Sequence, residues 1–156
     1  METIEKADFL RNIFLILRET FEGSAEGEPS AYLDRGVGFL TTIRNVDSER
    51  ASRFVNGTTI AAHTEHAKFY LDRLVEFLNG RTEKVNWDDS WLIETVNETE
   101  WNALRETVNR TYDNILRCLA DIDAWDQDNI GEAVAMIAHT AYHLGAVRQI
   151  AKTENK

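Results

Sequence analysis

Ala138-His139-Thr140-Ala141-Tyr142-His143-Leu144-Gly145-Ala146-Val147-Arg148-Gln149 carries two of the four histidines of a 156-residue chain, four positions apart. The other two, His63 and His66, stand three positions apart in a second apolar segment. Residues three and four apart share one face of a helix, so each pair presents two imidazoles on one side. Histidine occurs nowhere else in the chain. Two such faces turned toward each other are what a helical bundle uses to hold one metal ion between its helices.

The segments around these pairs carry helical periodicity. Leu10, Ile13, Phe14, Leu17 and Phe21 recur at three- and four-residue steps and predict a helix over 7–21, broken by Gly23. A weaker pattern with Tyr32, Leu33, Val37 and Leu40 predicts a second helix over 30–43, interrupted by Gly36 and Gly38. Asp47-Ser48-Glu49-Arg50 reads as one capped turn. Thr58 or Thr59 caps the next run, 60–78, whose first turns hold His63 and His66. Residues 81–96 are irregular and hold Trp87 and Trp91. Asn97 with Glu100 reads as a capping box opening a helix through Leu119, and Asn129 with Glu132 repeats the pattern before a last helix running to Ile150. Four long helices and no strand predict an all-α single domain over 1–156, a four-helix bundle with its last helix the most buried.

Composition narrows the function. Net charge is −10 with one Pro and eight Gly, and no basic cluster offsets the acidity. Such a surface repels phosphate backbones, so nucleic acid is excluded as a partner. No apolar run approaches the roughly 20 residues needed to cross a bilayer, so no membrane partner is expected. The opening Met1-Glu2-Thr3-Ile4-Glu5-Lys6 does not read as an export signal, and the lone Cys118 forms no internal disulfide. Both features predict a cytoplasmic protein. The Asn-x-Thr sequons at Asn56, Asn97 and Asn109 are then chance matches.

On a helix His139 and His143 are about 40° apart in projection, and His63 and His66 about 60°. Either of the latter can supply a third ligand to the His139–His143 pair. Neutral imidazoles suit zinc, nickel, iron or copper, and three protein ligands leave coordination positions open for water or substrate. The competing reading is four ordinary core histidines satisfied by hydrogen bonds. Glu65, Asp72 and Arg148 are candidates to support the ligands, and each is equally a solvated helix face. Tyr142 reads as core packing, Gly145 as a close helix approach, and Trp87 and Trp91 as a roof over a cleft or over the bundle end.

The stretch from His139 to Gln149 resembles the C-terminal motif of the DinB-like superfamily, which includes YfiT-like metal-dependent hydrolases. Gly57-Thr58-Thr59-Ile60-Ala61-Ala62-His63 is similar to that family's second-helix motif, and Asp47-Ser48-Glu49-Arg50-Ala51 to the segment before it. The resemblance spans residues 9–150. It implies a four-helix bundle, often a homodimer, with one divalent ion (zinc, nickel, iron or manganese) on His63, His139 and His143. His66 then packs beside the ligands or supports them. One departure stands at Ala146, where the family commonly has Gln. Relatives acting as transferases or isomerases use low-molecular-weight thiols, so the resemblance implies a small-molecule substrate and a thiol S-transferase or a hydrolase. No His-Glu-x-x-His motif supplies a base for hydrolysis. A non-catalytic dimeric binding or stress-response protein of the same fold is the alternative, and a plain helical interaction module a third.

Overall fold

The computed structural model describes residues 4–153, so the chain's opening, read above as carrying no export signal, lies partly outside them. Among the described residues there are six α-helices: α1 (Lys6–Glu22), α2 (Phe39–Arg44), α3 (Ser48–Ala51), α4 (Ile60–Leu78), α5 (Glu98–Ala120) and α6 (Gln127–Lys152). A short 3-10 helix spans Trp87–Trp91. Among the described residues the only β pairing is an isolated bridge between Val55 and Thr58. The fold is all-helical. No helix of the described residues is long and apolar enough to cross a membrane.

Capping side chains set where the long helices begin. Thr59, not Thr58, opens α4: its Oγ1 accepts the Ala62 N–H at 3.0 Å. Asn97 and Glu100 form the reciprocal box at α5, with bonds of 3.0 and 2.9 Å. At α6 the start lies earlier than the sequence predicts. Asp126 is the cap and accepts from the Asn129 N–H, so Asn129 is already inside the helix.

The helix expected over 30–43 is mostly a loop, and only its end, α2, is helical. The reason is Glu19 on α1. Its carboxylate is buried and accepts the backbone N–H groups of Ala31, Tyr32 and Leu33 at 2.5, 3.0 and 2.7 Å. Those donors are thereby drawn out of any helical ladder. The loop then returns so closely that a Cβ at Gly38 would lie 2.3 Å from the Gly23 nitrogen, a site only glycine fills.

One hydrophobic cluster joins the helices, with Leu17, Phe21, Phe39, Ile43, Ile60, Leu71, Trp101, Ile115, Met136 and Leu144 at its centre. α4 packs on both α5 and α6, α1 packs on α6, and α2 lies against α1, α5 and α6. Phe21 of α1 stacks on Tyr112 of α5 with centroids 4.5 Å apart. The most buried helix is α4 rather than α6: eight of its 19 residues are buried, against seven of 26 in α6. The apolar residues that made α6 look wholly buried include Ile130, Val134 and Tyr142, which are exposed.

Candidate metal centre

The four histidines meet where the first turns of α4 face the middle of α6. Thr59 anchors that end of α4 twice, capping the helix and donating to the Glu94 carbonyl at 2.6 Å. Ser52 pins the same connecting segment by exchanging hydrogen bonds with the Val96 backbone at 2.9 and 2.8 Å. The segment 79–97 is therefore held against α4, and the Trp87–Trp91 turn packs over the histidines.

Ring centroids lie 4.5 Å apart for His139 and His143, 4.7 Å for His66 and His143, and 5.1 Å for His66 and His139. One ring nitrogen from each of His66, His139 and His143 lies within 4.8 Å of those of the other two. His63 also meets His143, with the two Nδ1 atoms 2.9 Å apart. His66 Nδ1 is 2.8 Å from Ser90 Oγ, whose own proton goes to the Trp87 carbonyl at 2.6 Å. The Nε2 atoms of His139 and His143 are buried without any hydrogen-bond partner. Buried polar atoms are rarely left so, and a cation held among closely spaced imidazoles would satisfy them.

Aromatic rings wall the cluster. Trp91 stacks on His66 at 4.0 Å, and Tyr70 stacks on His139 at 3.7 Å. Trp91 also meets His63 edge-on at 5.6 Å. It remains 45% exposed, so one side of this wall faces solvent. Trp91 lies over the histidines, whereas Trp87 packs on Phe69 and Tyr70.

Burial holds all four imidazoles toward the neutral form. It lowers the pKa of His63 and His66, with the charge of His63 adding to the effect at His66. Burial and then His66 bring His139 down to about 4. Burial, followed by its three histidine neighbours, brings His143 down to about 3. Neutral imidazoles offer lone pairs, which is the form a metal takes.

Two of the other sequence candidates are paired elsewhere. Asp72 accepts from Thr111 of α5 at 2.7 Å and pairs with Lys68, and Arg148 pairs with Asp34 at 3.1 Å. Burial pushes the Glu65 carboxyl up, the Lys68 charge opposes the rise and the Asp72 charge adds to it, which places that carboxyl near the pair. Tyr142 is 71% exposed and is no core residue. A Cβ at Gly145 would meet nothing within 4 Å, so no helix approaches it closely. A cleft of about 620 Å³ lined by Arg44, Asp47, Trp101 and Arg105 contains none of the histidines.

The residue that sequence reasoning missed is Ser90. It lies fully buried within Trp87-Asp88-Asp89-Ser90-Trp91, and nothing in an acidic, irregular stretch marks one serine as facing a histidine. Comparison of the chain with family models, with curated proteins and with solved structures gives no match.

Proposed function

We propose that the chain is a divalent-metal-binding protein of the DinB-like type, a four-helix bundle of α1, α4, α5 and α6 that acts on a small molecule. His66, His139 and His143 hold the ion, and His63 supports His143. The observation that carries this reading is the pair of buried, unpartnered Nε2 atoms on His139 and His143 beside the ring of His66. His63, the third ligand implied by the resemblance, instead has its Nδ1 engaged with His143.

When bound, a divalent ion supplies Lewis acidity that lowers the pKa of a thiol or a water brought to it. We take the thiol as the substrate. Among the described residues no carboxylate is hydrogen-bonded to or paired with any of the four imidazoles, so no carboxylate base stands among them. A thiol ionises without such a base once its pKa approaches neutrality. Trp91 offers a half-exposed apolar face beside the ligands for the rest of the substrate. The activity proposed is transfer of a low-molecular-weight thiol to an electrophile, in the cytoplasm.

Elemental analysis of purified protein tests the site. About one divalent ion per chain is expected, lost in His66→Ala, His139→Ala and His143→Ala, because two imidazoles hold a labile ion poorly. Full retention in His139→Ala overturns it. A screen of thiols against electrophiles, read as conjugate formed with and without chelator, tests the activity.

A further inference from the structure

We infer that Ser90 is a positioning residue of this centre, fixing His66 in the tautomer whose Nε2 lone pair is free for the ion. The inference rests on the metal-site reading above. Its basis is proton counting. A serine hydroxyl has one proton. Ser90 Oγ lies 2.6 Å from the Trp87 carbonyl oxygen, which can only accept, so the proton is committed there. Toward His66 Nδ1, at 2.8 Å, Ser90 Oγ must therefore accept. A neutral imidazole carries one N–H, so His66 is protonated at Nδ1 and bare at Nε2. The opposite tautomer would set two lone pairs against each other between Oγ and Nδ1.

Geometry reinforces the assignment. Ser90 is fully buried, so no water competes for the bond. It sits on the turn whose ends, Trp87 and Trp91, pack on Tyr70 and His66, with Trp91 stacked 4.0 Å above the His66 ring. Trp91 fixes the plane of His66, and Ser90 fixes its rotation within that plane. The Trp87–Trp91 turn is thus part of the metal site although it contributes no ligand. Hydrogen bonds of this kind to a ligating imidazole typically change metal affinity ten- to a hundredfold.

The test reads the imidazole directly. Long-range proton–nitrogen NMR on metal-free protein at about pH 7.5, where imidazole is neutral, reports which nitrogen of His66 is protonated. An Nδ1–H signature is expected in the wild type, moving toward the Nε2–H form in Ser90→Ala. An Nε2–H signature in the wild type overturns the inference outright. Zinc affinity by chelator competition should fall roughly ten- to a hundredfold in Ser90→Ala with the circular dichroism spectrum preserved. Should Ser90→Ala not fold, Ser90→Cys takes its place, being similar in shape and a poor acceptor. Unchanged affinity and tautomer in the folded variant leave Ser90 without the role while the three-histidine site stands. A wild type that binds no zinc removes the site and the role together.

Discussion

The Nδ1 atoms of His63 and His143 lie 2.9 Å apart, so one proton sits between two nitrogens. If His63 donates it, His143 must carry its own proton on Nε2, a buried N–H with nothing to receive it. If His143 donates, its Nε2 is a bare lone pair directed into the cluster. The second arrangement costs less, and it is the form of His143 that the proposed site needs. His63 then does for His143 what Ser90 does for His66.

The relationship separates the two α4 histidines by experiment. His63→Ala should keep the ion with affinity reduced roughly ten- to a hundredfold, whereas His66→Ala should lose it. Zinc competition titrations on both variants report this. Loss of the ion in His63→Ala together with full retention in His66→Ala would make His63 the ligand.

Spacing could not choose between these two residues. His63 and His66 are only about 60° apart on α4, and both reach toward α6. What each one touches is set by residues far away in sequence: Ser90 meets Nδ1 of His66, and His143 meets Nδ1 of His63. The pairing of the two histidine faces was legible because it depends only on helix periodicity. So were the caps at Thr59 and Asn97, whose signal is local. The 24–38 loop was not, because its conformation is dictated by a carboxylate at least 12 residues away from the N–H groups it binds. Tyr142 failed for a related reason: an apolar-looking helix does not reveal which of its sides lacks a neighbour.

Acid should destabilise the metal-free protein through the histidines. Their folded pKa values lie below 6.5, down to about 4 for His139 and about 3 for His143. Below pH 6.5 the unfolded chain therefore binds protons that the folded chain refuses. Stability from this source is complete above 6.5 and is lost as pH falls toward the folded values. Glu65 and Glu132, raised by burial, titrate with the opposite sign in the same range. The clean readout is a difference: the pH slope of Tm between about 6.5 and 4.5 should be shallower in His143→Gln than in the wild type. Equal slopes would show that His143 protonates freely in the folded state.

Glu19 should matter for stability far more than a surface acid would. Burial by itself raises its pKa, but the N–H groups of Tyr32, Leu33 and Ala31 together bring it below the ordinary value. Glu19→Ala leaves those three donors unpaired, at a cost of about 3 kcal/mol. For a domain of this length that corresponds to a fall in Tm of roughly 6–12 °C. Glu19→Gln, which keeps one acceptor oxygen, should recover part of it. A melting curve for Glu19→Ala within a degree or two of the wild type would mean that water replaces the carboxylate.

The apolar surface left over by the fold predicts self-association. Within the chain, Phe9 of α1 packs edge-on against Trp125 at 6.3 Å, and Phe14 is half-buried against the core. α2 and the Glu19-anchored loop cover more of the same helix. What remains exposed is a small apolar surface. Leu15 stays 47% exposed on α1, and Val134, also 47% exposed, stands one turn from Ile130 on the neighbouring α6. Apolar side chains one helical turn apart form a continuous stripe, which a second copy can cover isologously. We therefore expect a twofold dimer centred on Ile130 and Val134. Light scattering at micromolar concentration should give twice the 17.9 kDa of one chain. Val134→Lys should return it to the single-chain mass without lowering zinc content, because Val134 lies outside the histidine cluster. A wild-type mass of 17.9 kDa would rule the dimer out, and a dimeric Val134→Lys would move its interface away from this stripe.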